Sequence, residues 1–484
     1  MRPRFAIGLI LLLPASAPAA EKPIPQDHAR MEKRFLDRLE WNRRTLQGTY
    51  DKIGKKDPRW DAPAREALEL AARMFAQQVD PVVALADVHV PARTAVDAGC
   101  DDPLILYLYG RTSIGRYYPK PQEYDRRLKA AATAMADSRY SPYRKAVALK
   151  YPSEVAGAKK DPSPAERREA ERALDAILDL LPKSVAEDPR NDDWEQGWYA
   201  AINSVIEAHR RLGGNYKAAY DRVDAKLARV PDIRPLRLTI KGFFFYMWGW
   251  EARTEAFAPN VSEVQVRTFE SRLRQARAAL EEAWKLRPRE PRVATIMLDI
   301  EKAIGEGDRA AMETWFARAM ETDPNDEAAC LSKLDWLDPK WHGDSPEEMV
   351  AFGRACKATG NWRTGITLLV GDAHLRYFHM LPADQRVAYM KSPEVWSDIQ
   401  SVYDEFLKHY PDDAMRRSKY AFLCAIAGHI AEAQAQFQAV GDNLTTWRVF
   451  PNVPLEQLKQ IREAVARVAR GHPGAGRGAA PKAG

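Results

Sequence analysis

A helical phase recurs in the second half of this chain, and it restricts the fold more than any other feature. Ala276, Leu280, Ala283 and Pro288 are followed by Met312, Phe316, Ala319 and Pro324 at the same internal spacing. A small or flexible residue, an apolar one four later and a small one three after that share one face of a helix. The proline five residues on stops that helix. The pattern is that of the second helix in a repeated helical hairpin.

Its period of about 34 residues is that of a tetratricopeptide-like repeat. The expected fold is therefore all-α, an irregular tetratricopeptide-like α-solenoid of stacked hairpins. Such stacks usually present a surface rather than perform a reaction. Leu, Ala, Arg and Glu are plentiful and strand-type alternation is scarce, which fits an all-α class.

Residues 1–20 read as a signal peptide. Arg2 and Arg4 supply the charged start, Phe5 to Leu13 the apolar run, and Ala17-Pro18-Ala19-Ala20 the small residues for cleavage. The apolar run is too short to span a bilayer. An exported protein, periplasmic or extracellular and without a transmembrane anchor, is expected. Removing Arg2 and Arg4 takes the formal charge from +6 to +4. That weak excess argues against a nucleic-acid binder, which concentrates basic charge on one face.

Along the chain, 21–151 reads as an N-terminal helical region, 165–470 as the repeat region and 471–484 as a disordered tail. Glu21 to Gln26 reads as a flexible lead, and one helix is expected from His28 through Tyr50. Asp61 is the expected N-cap of a small-residue helix over Ala64 to Phe75. Tyr151 to Pro164 reads as an exposed loop and hinge. Gly213-Gly214-Asn215 joins two helices, and Ala219, Val223, Ala433 and Phe437 continue the repeat phase in degenerate form.

Two stretches carry a resemblance. The first is Tyr50, Lys52, Gly54, Pro58, Trp60 and Asp61 with the alanine helix after them. The second is Leu337-Asp338-Pro339-Lys340-Trp341-His342-Gly343, then Glu347-Glu348-Met349, Phe352-Gly353-Arg354 and Cys356. Together they resemble a group of exported bacterial proteins with tetratricopeptide-like helices, classed as a domain of unknown function. The resemblance implies a fold and not a reaction. The wider superfamily implies protein or peptide binding on the concave face, an analogy from fold.

The densest aromatic run is Phe243-Phe244-Phe245-Tyr246-Met247-Trp248-Gly249-Trp250. On a helix it points in every direction, so some rings leave the core stripe. Tyr246, Trp248 and Trp250 are candidate groove residues, against burial between hairpins as the plainer reading. Lys340 and His342 are candidates for handling an anion or a proton, against a shaped turn set by Pro339 and Gly343 and plugged by Trp341. Ser345 and Glu348 have capping-box spacing. Asp372, His374 and His379 lack the spacing that aligns metal ligands on one helical face. No CxxC, HExxH, GxSxG or phosphate-loop pattern is present, so no metal or cofactor is expected. Cys100, Cys330, Cys356 and Cys424 allow three complete pairings. Antiparallel helices flanking Trp341 would bring Cys330 and Cys356 within reach of a disulfide.

These features predict a noncatalytic binding or scaffolding protein of the bacterial envelope. A protein or peptide segment, or an envelope glycan, would lie in the concave groove. The alternative is an envelope hydrolase that cleaves cell-wall glycan with paired acids in that groove. Glu270-Ser271 is a weak pointer to it and reads better as part of a solvated helix face.

Overall fold

The computed structural model describes residues 23–76, 85–113, 120–159, 161–187, 192–253, 261–304, 308–445 and 453–471. The expected signal peptide, residues 472–484 of the expected tail, and Asp80-Pro81, which read as a helix start, lie outside them. Among the described residues there are helices and turns but no strand. The N-terminal helices are α1 (His28–Thr45), α2 (Gln47–Ile53), α3 (Asp61–Phe75), α4 (Leu85–Asp97), α5 (Pro103–Thr112) and α6 (Pro121–Ala136). Next come α7 (Pro142–Gly157), α8 (Pro164–Glu187), α9 (Asp192–Arg211), α10 (Tyr216–Leu227), α11 (Arg234–Arg253) and α12 (Glu263–Leu286). They are followed by α13 (Pro291–Ile304), α14 (Arg309–Thr322), α15 (Glu327–Trp336), α16 (Pro346–Ala358) and α17 (Leu369–Met380). The last are α18 (Ala383–Lys391), α19 (Pro393–His409), α20 (Ala414–Ile426), α21 (Ile430–Val440) and α22 (Leu455–Ala469).

Consecutive helices pack against each other, and from α7 to α19 each odd-numbered helix also touches the next odd-numbered one. This is the expected all-α solenoid. The phase residues lie where the repeat requires: Ala276, Leu280 and Ala283 on α12 and Met312, Phe316 and Ala319 on α14 are all buried. The alanine helix α3 likewise buries Ala64, Ala67, Leu68, Ala71 and Ala72 completely. The largest apolar cluster extends from α7 to α17, with separate clusters over α1–α7 and α17–α22.

Several local expectations need correction. The loop expected over 151–164 is shorter: 158–159 and 161–163 lie between α7 and α8 outside any helix, but 151–157 is helical. Helix α7 runs on through Pro152 to Gly157, and Pro152, Ser153, Ala156 and Gly157 are buried. A Cβ on Gly157 would lie 3.1 Å from Ala208 Cα, so close helix packing holds this segment. The helix expected from His28 to Tyr50 breaks at Leu46, whose ψ is −83°. Asp61 is the first residue of α3, and Trp60 takes the cap position. Gly213, at φ +75°, and the Asn215 cap do make the α9–α10 turn.

The lead before α1 is not free. Ile24 is buried in the main cluster, and Asn361 Nδ2 donates to Gln26 Oε1 at 3.2 Å. Helix α1 then crosses a long stretch of the stack. Arg30 donates to the Glu321 carbonyl, and Arg34 donates to Thr322 O at 3.1 Å and pairs with Asp323 at 3.2 Å. Those carbonyls end α14, where helices lack intrahelical donors and favour cations. At the other end of α1, Arg144 of α7 donates to Asn42 Oδ1 and Thr45 Oγ1, both at 2.7 Å.

Helix α1 therefore bridges the first turn of α7 and the end of α14.

Candidate functional site

Helix α11 shows how a bulky helix can serve two surfaces. Gly242 and Gly249 lie seven residues apart on one face and admit α12. A Cβ on Gly242 would meet Leu280 Cγ at 2.3 Å. Phe244 and Phe245 are buried, and Phe244 stacks on Tyr220 of α10 with ring centroids 4.0 Å apart. Phe243, Tyr246 and Trp250 occupy the remaining stripe, at spacings of three and four residues. All three are half-buried.

That stripe belongs to a ladder of rings. Tyr199 of α9 meets Phe243 at 5.7 Å, Phe243 meets Tyr246 at 6.5 Å, and Tyr246 meets Trp250 at 6.3 Å. Trp250 then meets Trp341 edge-on at 6.5 Å. Trp341 comes from the turn after α15, so the ladder joins the two stretches that the sequence singled out separately. The Trp250 indole N–H is buried without an acceptor among the described residues.

Trp248 is not part of this ladder. The Arg272 guanidinium covers its ring at 3.4 Å, and Arg272 also donates to its carbonyl at 2.6 Å. Trp248 is half-buried like Tyr246 and Trp250 but stands apart from them. The reason is helical phase: Trp248 points towards α12.

Beside the ladder runs a row of charges on the odd-numbered helices. Lys302 of α13 lies 3.4 Å from Asp299 and 3.0 Å from Asp335 of α15. Ser332 Oγ donates to Asp299 at 2.9 Å, and Arg376 of α17 pairs with Asp335 at 2.5 Å. Lys302 Nζ also sits 5.5 Å from the Trp341 ring centre. Burial lifts the Asp299 carboxyl above its usual range, and Lys302 and Ser332 oppose this only in part. Burial pushes Asp335 the same way, but Lys302 and Arg376 outweigh it and hold that carboxyl below its usual range. Burial and then Asp299 push the Tyr246 phenol up.

The two carboxyls bear on stability with opposite signs. Asp335, depressed in the fold, contributes stability that is present above its unfolded value of about 3.9. It is lost as pH falls through the lower folded value. Asp299, raised in the fold, contributes stability that is present below about pH 3.9 and lost as pH rises through its folded value. We expect Asp335→Asn to flatten the loss of stability on acidification, and Asp299→Asn to flatten the loss on raising pH from that point. Urea midpoints across this range would show both slopes, and parallel profiles for the two variants would contradict the assignment.

The turn 337–343 is chiefly structural. His342 Nε2 meets the Lys302 carbonyl at 2.8 Å, and its ring lies 5.2 Å from that of Trp336. Lys340 is exposed and pairs with Asp338 at 3.3 Å. His342 therefore meets the backbone of the charged row, and Lys340 connects to the row through Asp338, which also lies 4.0 Å from Arg376. A Cβ on Gly343 would lie 1.8 Å from the Leu337 carbonyl oxygen. We expect Gly343→Ala to cost about 2–3 kcal/mol because that backbone must move, which a urea titration would measure. Ser345 accepts from Glu348 N at 3.4 Å, but the Glu348 carboxylate reaches Asp344 N and Arg309 instead of completing the box.

The other expected features resolve separately. His374 is buried between Tyr389, at 2.7 Å, and Asp398, at 3.2 Å, while Asp372 pairs with Lys419 and His379 is exposed. Among the described residues no cluster suited to a metal occurs, and no helix is long and apolar enough to cross a membrane. Glu270 pairs with Arg274 at 3.6 Å on a solvated face. All four cysteines are free buried thiols, so the expected Cys330–Cys356 bridge is not present. The two are nevertheless neighbours: the Cys356 thiol, and then burial, push the Cys330 thiol well up. Cys330 Sγ also meets Met320 Sδ at 3.7 Å.

The sequence reading missed Asp299, Lys302, Ser332, Asp335 and Arg376. The available signal was an offset: Asp299 with Ser332 and Lys302 with Asp335 are each one repeat apart. No protein-family model matches the chain, and no curated protein is detectably similar to it.

Proposed function

We propose that this chain is a noncatalytic binding protein of the bacterial envelope, exported by its N-terminal segment and related to the exported tetratricopeptide-like group it resembles. Its ligand is an extended protein segment that runs along the concave layer. The observation that carries this reading is the half-buried ladder Phe243–Tyr246–Trp250–Trp341 beside Asp299, Lys302, Asp335 and Arg376. Tyr and Trp give rigid amphipathic contact area, and a row of alternating charge fixes the register of a bound segment.

The hydrolase reading draws on one observation, that Asp299 and Asp335 are shifted in opposite directions, as in acid–base pairs. Against it, Lys302 bridges the two carboxylates and Arg376 engages Asp335. A general acid needs its proton directed at substrate, whereas these groups neutralise one another.

The test is titration of the exported chain with an array of envelope-protein peptides, read by tryptophan fluorescence and repeated with Trp250→Ala and Trp341→Ala. A peptide that binds the parent chain and loses about tenfold or more in affinity with either variant, about 1.4 kcal/mol, is the expected result. Binding of soluble cell-wall glycan instead, with bond cleavage that Asp299→Asn abolishes, would establish the hydrolase.

A further inference from the structure

Two arginines at the N-terminal end of the stack lack what buried cations normally have. Arg144 of α7 is only 3% exposed. Its partners are neutral, Asn42 and Thr45, and its Nε is buried without an acceptor. Arg111 of α5 is half-buried, and its Nε is likewise buried without an acceptor. Neither forms an ion pair with a carboxylate among the described residues. Glu154 acts on Arg111 from a distance and is engaged by Lys150 at 3.4 Å.

Rings surround both guanidinium groups. Phe75 lies between them, its centre 5.4 Å from the Arg111 guanidinium carbon and 5.6 Å from that of Arg144. Tyr151 is 5.0 Å from Arg111, and Trp41 and Tyr143 are 4.9 and 5.4 Å from Arg144. All four rings are half-buried, so solvent reaches this end of the stack. Aromatic faces attract a cation, but a buried charge without a counter-charge remains costly. Burial makes the Arg144 guanidinium easier to deprotonate. Burial pushes Arg111 the same way, but Tyr151, Tyr107 and Glu154 outweigh it and favour the charged form.

We propose that Arg111 and Arg144, with Trp41, Phe75, Tyr143 and Tyr151, form a binding site for an oxyanion carried on an apolar body, either a carboxylate or a phosphate ester. Each guanidinium still has an Nε–H to donate, and a guanidinium fork matches either oxyanion. The rings take the apolar body. Helix α1 supplies Trp41, Asn42 and Thr45, so occupancy of the site would also hold α1 in place. The proposal does not depend on what the concave ladder binds.

The test is thermal unfolding and calorimetric titration of the exported chain with benzoate, phenyl phosphate and inorganic phosphate, at ionic strength fixed with chloride. A saturable rise in melting temperature of several degrees with benzoate or phenyl phosphate is expected. The more effective of the two identifies the oxyanion. Arg111→Met and Arg144→Met should each weaken binding about tenfold or more, with Arg274→Met, on the solvated face of α12, unchanged. If Arg144→Met does not fold, the half-buried Arg111→Met decides the matter. No saturable shift with any of the three anions would overturn the proposal. So would an effect of inorganic phosphate alone, or equal weakening by Arg274→Met.

Discussion

Ala319→Asp is expected to lower the free energy of unfolding by about 4 kcal/mol. Ala319 is fully buried on α14, and Ala283, at the equivalent place on α12, is 1% exposed. At each site the helix meets its neighbours through a methyl group. A carboxylate there must be desolvated or protonated, and its extra volume forces the helices apart. Ala283→Asp should behave the same way. Circular dichroism melts report the effect, and unchanged melting of both variants would mean that the repeat register is misplaced.

A chain lacking residues 23–45 is expected to lose still more, on the order of 6 kcal/mol. The deleted segment buries Ile24, Met31 and Leu39, at about 2 kcal/mol for each large apolar side chain. It also removes the arginines that close the end of α14 and the acceptors of Arg144. The apolar surface that these side chains cover would then be exposed to apolar dyes, so dye fluorescence at low temperature should rise along with the fall in melting temperature. A truncated chain that melts like the parent would show that α1 does not brace the stack.

What was legible in the sequence follows from how local each signal is. The repeat phase needs only residues within one helix, so Ala276, Leu280 and Ala283 on α12 could be read directly. The N-cap at Asn215 and the turn glycine before it are equally local. The role of α1 was not legible, because its partners at 321–323 lie hundreds of residues away and no pattern in His28–Thr45 names them. Pro152 misled for a related reason. A proline usually breaks a helix, but here the buried contacts of Ser153, Ala156 and Gly157 carry α7 past it.

The candidate site was half legible. The aromatic run announced itself by density, and rotation about the helix required some rings to leave the core. Which rings those are depends on where α12 packs, and Gly242 and Gly249 fix that. The consequence is that Tyr246 and Trp250 share a stripe with Phe243 while Trp248 does not. The charged row escaped notice because each member is an ordinary helix-surface residue in its own hairpin. Only stacking brings Lys302 against Asp335 and Arg376 against Asp335.

The proposed use of the concave layer can be tested most directly by site-specific photo-crosslinking in the intact envelope. A photoreactive residue would replace Trp250 or Trp341 on the concave ladder, or Arg274 on the solvated face of α12. The account predicts one discrete adduct from both ladder positions, with a contact site mapped to a protein segment, and none from position 274. Adducts from position 274 in equal yield, or none from either ladder position, would contradict it.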